Sequence, residues 1–568
     1  MSKILFCALG GIEEFGKNLY CLDIDDNIFV LDCGLKYPTS ELKGIDIVIN
    51  DTTYLLENRD RIKGLFLSNA RDENIGGTSF LLRDIPELKV FGSAYTLAVL
   101  KDYFEEDKFE FNEENFVVVT PKSKLEFGTT IVRFFEVSHT LPMSLGIDFK
   151  TEDGNIVYTS NYNFDQNSKI DYGHMFRALS AFSKEGTLAL FSESTGATND
   201  QSRGTILEFK VRIQNLMSLA THRMIFSVFS SDILRIRQIC NIAHEYGKRV
   251  AMTGIKRQKL ISEALKMGFL DLDEGKIEQL NFAAKENNYN NDDNLVVIVV
   301  GKRHEPYYAL QRMSNQNDRL IHLTPTDTVV VLTPPALGTE KMAAKTLDIV
   351  FHTTTHVIQF SDSLVQTASA NREEIKQIIN LLKPKYLVPI MGEYRFQKAF
   401  VEIAHCIGYD EKRVLLVGNG DQIIFENGKY KGFADDVKYD NILIDGKAIE
   451  NVDDTVMYDR NKLSDDGLVI ITCNINPHTK TIIAGPEITT RGFSVGNNPE
   501  EFLMEMKKAF FMSANKFLID KYINWSGFKD TIKKELSYLI HKNLNRNPLI
   551  VPVLISTDLE LIKNKRLG

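Results

Sequence analysis

The feature that most constrains this chain is a change of rhythm near residue 203. Before it, apolar residues come in short runs rich in β-branched and aromatic side chains: "KILFCAL", "LYCLDI", "NIFVLDCG", "IKGLFLSN", "KVFGS", "NFVVVT", "TIVRFFEVSH", "GNIVYTS" and "GTLALFSES". Such runs read as strands, and several end in a polar loop. Helical stretches are sparse there, "SAYTLAVLKDYFEE" being the clearest. Strands that outnumber helices and follow one another directly predict an α/β sandwich rather than a Rossmann domain. From about Arg203, helical stretches such as "ILRIRQICNIAHEYG" alternate with "RMIFSVFSS", "NLVVIVVG" and "DTVVVLTPP", the pattern of a doubly wound unit. The expected organisation is a sandwich over 1–205, an insert over 206–345, a return to the sandwich over 346–435, a linker at 436–449 and a small C-terminal α/β domain over 450–568.

A length of 568 residues suits three or four domains at about 100 to 200 residues each. Lys plus Arg number 67 and Asp plus Glu 76, a net charge of −9 that excludes a uniformly basic protein but not a local basic channel. The six cysteines form no CxxC pair, which argues against a disulfide scaffold and a cysteine zinc finger. The opening apolar run is short and passes at once into glycines and charges, so it reads as a strand and turn rather than a signal peptide. No stretch reaches the roughly 18 apolar residues of a membrane span, and the expectation is a cytoplasmic protein without membrane contact.

Several segments carry a resemblance. "GGIEEFGKNLY" at Gly10 to Tyr20, "DCGLKYP" at Asp32 to Pro38 and "GIDIVINDTTYLLENRDRIKGLFLS" at Gly44 to Ser68 resemble the opening of ribonuclease J. The likeness resumes at "SHTLPMSLG", "YTSNYNFD", "SESTGAT", "LLKPKYLVPIMGEYR", "NILIDG" and "AGPEITTRGF", in the family's order. It implies a metallo-β-lactamase αββα sandwich with an inserted β-CASP α/β domain and a small C-terminal α/β domain. It also implies 5′-exonuclease and endonuclease chemistry on RNA, with two zinc or manganese ions activating water against a phosphodiester.

The ligand positions implied by the resemblance are mostly substituted. In "NARDENIGG" the Ile75-Gly76-Gly77 anchor sets the register. Asn69, Arg71 and Asn74 stand where the family has histidines, and Glu73 where it has aspartate. His139 matches a histidine ligand and is kept. Asn161 replaces a bridging aspartate, and Met391 replaces the histidine before Gly-Glu-Tyr-Arg. Neutral amides compete poorly for zinc, a thioether suits softer metals, and an arginine places a fixed cation where a metal would sit. No cofactor is therefore expected. For Arg71 two readings stand, a brace paired with Glu73 or drift at an exposed strand end. His139 reads as a hydrogen-bonded structural residue or as a surviving ligand.

The β-CASP positions change in the same direction. Glu193 stands for an aspartate, while Val365 and Ser369 replace two histidines, removing a general acid. "GKRHE" at Gly301 to Glu305 stands where the family's RNA-contacting loop would be. Its Lys302, Arg303 and His304, with Arg235 and Thr367, are the candidate contacts to RNA phosphate, and the alternative for the loop is a solvated charged surface. His352 and His356 lie in a β-branched stretch expected to be strand or loop, and they make no zinc pair with His222. The resulting expectation is a degenerate homologue acting in RNA processing and decay, either as a homo-oligomer or beside an active ribonuclease J paralogue. The alternatives are an active metal-dependent ribonuclease and a stand-alone RNA-binding protein.

Overall fold

The computed structural model describes residues 2–557 apart from 39–41, 165–171, 200–205, 254–258, 271–276, 280–288, 336–337, 366–368, 447–453, 495–497 and 521. The chain divides into two compact units, one of Met1–Thr39 with Ile47–Leu443, the other of Ser40–Asp46 with Ile444–Gly568.

In the first unit, two mixed sheets face each other. Among the described residues one has eight strands, in the order Lys429–Phe433, Gln422–Glu426, Lys3–Gly10, Leu19–Ile24, Asn27–Leu31, Ile62–Phe66, Val90–Gly92, Phe116–Val118. The other has six, in the order Tyr386–Ile390, Thr187–Glu193, Gly154–Tyr158, Leu145–Thr151, Thr130–Glu136, Lys124–Phe127. Central strands are covered on both faces, which is why Leu19–Ile24 is buried along its whole length, its one charge, Asp23, being paired with Arg61. Aromatic rings fill the space between the sheets: Phe29 meets Phe149 at 5.1 Å and Phe6 meets Phe191 at 4.2 Å. Each such ring contributes roughly 1.5 to 3 kcal/mol by burial, and Phe29→Ala would cost about 3 to 5 kcal/mol through the cavity it leaves.

Helices cover the outer faces. Leu179, Phe182, Ile375, Ile379 and Phe400 pack on the second sheet, and Leu81, Leu97 and Leu100 on the first. Helix Arg372–Leu382 begins with a reciprocal cap: Asn371 accepts from the Glu374 N–H and Glu374 accepts from the Asn371 N–H. Glu374 also accepts from the Phe164 N–H at 2.9 Å, so the cap ties the helix to a strand-end loop. Helix Tyr172–Glu185 has no counterpart in the expected element order.

The insert is a parallel sheet with the order Ile277–Gln279, Arg249–Thr253, Leu295–Gly301, Met224–Phe229, Thr328–Val331, Val357–Gln359. Its last strand lies beyond residue 345, and His352 belongs to helix Glu340–Thr353 rather than to a strand or loop. That run is helical because Ala343, Thr346 and Val350 recur on one buried face, a period that outweighs β-branched propensity. His352 and His356 are both exposed. Arg223 enters the sheet buried and bidentate on Asp327, at 2.9 and 2.6 Å.

In the second unit, Leu468–Asn476 pairs antiparallel with Thr481–Arg491 and parallel with Leu549–Ser556. Helices Pro499–Leu518 and Trp525–Leu544 cover one face of that sheet through Phe502, Met506, Phe510, Phe528 and Leu536.

Candidate functional site

The polar loops that follow Asn27–Leu31, Ile62–Phe66, Thr130–Glu136, Gly154–Tyr158, Thr187–Glu193 and Tyr386–Ile390 meet at one edge of the sandwich, where strand carboxyl ends converge. The short helix Asp72–Ile75 is pinned by backbone bonds: Leu35 N–H to Asp72 O at 3.0 Å, Asn18 N–H to Glu73 O at 3.0 Å and Cys33 N–H to Asn74 O at 2.7 Å. Only glycine fits opposite it, since a Cβ on Gly34 would stand 1.7 Å from the Glu73 carbonyl oxygen. A Cβ on Gly196 would likewise stand 2.1 Å from the Ala370 oxygen, which brings 193–196 against 369–371.

At the centre of this edge lies the buried Asp32. Its carboxylate accepts from Tyr158 OH at 2.5 Å, Ser68 N–H at 2.8 Å, Ser68 Oγ at 2.8 Å and Asn74 Nδ2 at 2.7 Å. Burial pushes the Asp32 carboxyl up to about 6, even though these bonds favour the charged form. Ser68 Oγ and Ser160 Oγ are 2.7 Å apart, and the Asn69 and Asn74 amides each reach both hydroxyls at 3.2 Å. Asp32, Ser160 and Met391 hold left-handed backbone, with φ of 56°, 54° and 59°. Such conformations cost of order 1 kcal/mol or more each and persist where surrounding contacts over-determine them.

A second cluster forms around the buried Glu193. It accepts from Tyr162 N–H at 3.0 Å, Ala370 N–H at 2.8 Å, Asn161 Nδ2 at 2.8 Å and Thr195 Oγ1 at 2.7 Å. Burial outweighs those bonds and raises its carboxyl above the usual glutamate range. Arg71 donates from Nε to Glu73 at 3.2 Å, and its backbone N–H donates to Asn69 Oδ1 at 3.0 Å. The Glu73 carboxylate, with Glu193 and Asp72 adding to it, raises the Arg71 guanidinium further above its ordinary value. His139 is buried and its Nδ1 accepts from the Leu141 N–H at 3.0 Å. Met391 packs in the core between the sheets.

Comparisons with known proteins agree on one group. The Ribonuclease J beta-CASP domain model matches residues 221–350, and the Ribonuclease J C-terminal domain model matches residues 455–557. Ribonuclease J2 of Bacillus subtilis is 33% identical over 557 residues, covering 97% of this chain and 98% of its own. The chain belongs to the ribonuclease J family. Ribonuclease J 2 of Streptococcus pyogenes is 31% identical, with 98% of this chain and 100% of that one covered. Ribonuclease J 2 of Staphylococcus epidermidis is 31% identical over 97% of this chain and 98% of its own. A crystal structure of an Enterococcus faecalis protein of unknown function shares the fold, with a TM-score of 0.52 at 14% identity over 74% of this chain and 100% of that one. The sandwich, the β-CASP insert and the C-terminal α/β domain are the architecture of the ribonuclease J family.

The family's two metal ions do not fit the donors at this edge. Asn69, Asn74 and Asn161 aim their NH2 groups at hydroxyls and carboxylates, so their amides act as donors where a metal needs acceptors. Met391 is turned into the core and Arg71 brings a cation of its own. Among the described residues no group of three or more His, Cys, Asp or Glu is placed to hold a metal.

In this ribonuclease J-family chain, the residues expected at RNA phosphate occupy different surroundings. Arg235 is turned inward at 1% exposure, with its guanidinium 4.2 Å from the Phe209 ring and Nη2 donating to Leu364 O at 2.9 Å. The cause is position, since Arg235 falls on the buried face of helix Ile233–Glu245 beside Ile236 and Ile239. Lys302 holds both Asp72 oxygens at 2.9 Å and donates to Tyr103 OH at 2.6 Å, tying the insert to the sandwich. Arg303 lies 4.7 Å over the Tyr37 ring, and His304 is exposed, edge-on to Tyr308. Val365 is buried among apolar residues, Ser369 is half-buried, and Thr367 lies outside the described residues.

Sequence reasoning singled out none of Asp32, Ser68, Tyr158, Ser160, Asp72 or Tyr103. One signal was available for Asp32: an acid directly following the apolar run Ile28–Leu31, before Cys33-Gly34.

Proposed function

We propose that this chain is a non-catalytic ribonuclease J homologue, an accessory subunit of RNA processing and decay in the cytoplasm. The observation that carries the reading is the bonding at the sandwich edge. At the family's metal positions Asn69 and Asn74 are committed to the hydroxyls and carboxylate around Asp32, Asn161 donates to Glu193, and Arg71, paired with Glu73, is the local cation. Water activation without a metal needs a general base next to a phosphate site, and the two carboxylates deepest in this edge, Asp32 and Glu193, each already accept four hydrogen bonds. The likeness to Ribonuclease J2 of Bacillus subtilis over nearly the whole chain supports RNA as the partner class. The assembly is a homo-oligomer or a hetero-oligomer with an active paralogue. Within this reading the insert runs from 206 to about 360, the residue range of its sheet and helices.

The test is degradation of 5′-monophosphorylated, end-labelled RNA by purified protein with manganese, magnesium or zinc, and with EDTA. The expected result is no turnover by the folded protein and co-purification with an active ribonuclease J homologue. Turnover abolished both by EDTA and by the Arg71→Ala, Glu73→Ala double variant would overturn the reading.

A further inference from the structure

Strands Val90–Gly92 and Phe116–Val118 run parallel to Ile62–Phe66, whose carboxyl end reaches the Asp32 edge. Leu88 precedes the first of them and Phe116 opens the second, so both stand at amino ends, away from that edge. There a groove of about 340 Å³ opens, with Leu82, Pro86, Leu88, Phe109, Phe111 and Phe116 as its apolar lining. That volume falls within the range of about 300 to 1,000 Å³ common to ligand pockets. Three of its rings are held by a fourth. The buried Phe104 meets Phe109 at 4.9 Å, Phe111 at 5.2 Å and Phe116 at 6.1 Å, and Phe111 meets Phe116 at 5.1 Å. An apolar side chain entering the groove therefore meets a surface that is already ordered.

The charge around the groove is one-sided. From Lys101 to Asn115 the chain carries seven carboxylates and two lysines, and from Arg83 to Lys89 two charges of each sign. Lys101 is paired with Glu113 at 3.3 Å and lies 5.5 Å over the Phe116 ring. Arg83 lies over the Phe80 and Phe109 rings, at 5.1 and 5.6 Å. Glu110, which lines the groove, and Glu114 are exposed and form no ion pair among the described residues. Such a rim repels phosphate, so RNA and an anionic lipid surface are poor matches, and it attracts lysine and arginine.

Phe116–Val118 is also the last strand of the eight-stranded sheet, with no strand beyond it among the described residues. An extended peptide can bond to such an edge through its main chain while a side chain fills the adjoining pocket. We propose that the groove docks an extended basic segment of a partner protein, with one large apolar side chain on Phe111 and Phe116 and flanking lysine or arginine at Glu110 and Glu114. The proposal goes beyond the reading of lost catalysis and does not rest on it.

The experiment is fluorescence anisotropy of the full-length protein with an array of labelled decapeptides. Each peptide has Lys-Arg at both ends, and the central positions run through every pair of large apolar residues. Peptides with an aromatic or aliphatic anchor are expected to bind, and replacing the anchor with alanine to abolish binding. Glu110→Lys with Glu114→Lys is expected to weaken affinity about tenfold, since both residues are exposed and the change reverses the rim. Asp435→Lys with Asp436→Lys, at exposed carboxylates elsewhere in the same unit, serves as the control and is expected to leave affinity unchanged. A benzoylphenylalanine at the anchor position is expected to crosslink within residues 82–116. Unchanged affinity in the Glu110, Glu114 variant overturns the site, and so does the absence of binding by every peptide to the folded wild type. Displacement of the peptide by single-stranded RNA would make the groove a nucleic-acid site and overturn the peptide assignment. RNA turnover is read in a separate assay, so failure of this proposal leaves the reading of lost catalysis standing, and the reverse holds.

Discussion

Asp32, in a loop, and Asp72, opening the short helix Asp72–Ile75, lie at the same edge of the sandwich, and their surroundings differ in one respect. Asp32 is buried among neutral donors, and burial pushes its carboxyl up to about 6. Asp72 is also shielded from water, which alone would raise it, but Lys302 at 2.9 Å from both oxygens, with Tyr37 and Tyr103, holds it below the ordinary aspartate range. Neutral hydrogen bonds fill the lone pairs of a carboxylate without replacing the charge that water screened; a cation does both. The centre without its cations keeps an aspartate close to neutrality, whereas the junction with the insert supplies its own positive charge.

The largest test removes the acceptor. Asp32→Ala strands Tyr158 OH, Ser68 N–H and the Asn74 amide, and the expected loss is about 3 kcal/mol in urea unfolding. A loss under about 1 kcal/mol would mean that the network reorganises freely. Lys302→Met leaves Asp72 shielded and unpaired, with about 2 kcal/mol expected after allowing for the partial exposure of Lys302. Adding Asp72→Asn should recover part of that, and no recovery would remove the charge from the explanation.

The pH dependence gives opposite signs for the two aspartates. Asp32, raised when folded, contributes stability that is present below about pH 4 and lost as pH rises through about 6. Asp72, lowered when folded, contributes stability present above about pH 4 and lost as pH falls through its depressed value. The stability difference between wild type and Asp32→Asn should therefore move against wild type between pH 4 and 6, by roughly 2 to 3 kcal/mol. A flat difference would show that Asp32 does not titrate in that window. The smallest effect belongs to Arg71→Ala. Its pair with Glu73 is about a quarter to a third exposed, and about 0.5 kcal/mol or a degree or two of melting temperature is expected. A drop several times larger would make it a brace of the whole edge.

Element boundaries were legible wherever local periodicity sets them. "LYCLDI" is the strand Leu19–Ile24, and "ILRIRQICNIAHEYG" contains the helix Ile233–Glu245. The substituted positions were legible because Ile75-Gly76-Gly77 leaves no freedom of register, and Arg71 does pair with Glu73. The sense of Arg235 was not legible: a charge in an amphipathic helix reads as solvent-facing, and only the Phe209 ring across from it makes an inward guanidinium stable. Lys302 likewise reads as one charge in a basic loop until Asp72, 230 residues away, is placed beside it.

By itself the sequence determined most of the order of strands and helices, helix Tyr172–Glu185 and the helical setting of His352 excepted, because that order follows from residue type and short-range spacing. It determined that amides, a thioether and a guanidinium stand where imidazoles and carboxylates would bind metal. Tertiary structure alone decided what those side chains do instead. Tyr158 reaches Asp32 across 126 residues of sequence and Ala370 reaches Glu193 across 177. Whether a buried carboxylate finds a cation or only neutral donors depends on which distant loop folds over it, and no local pattern encodes that choice.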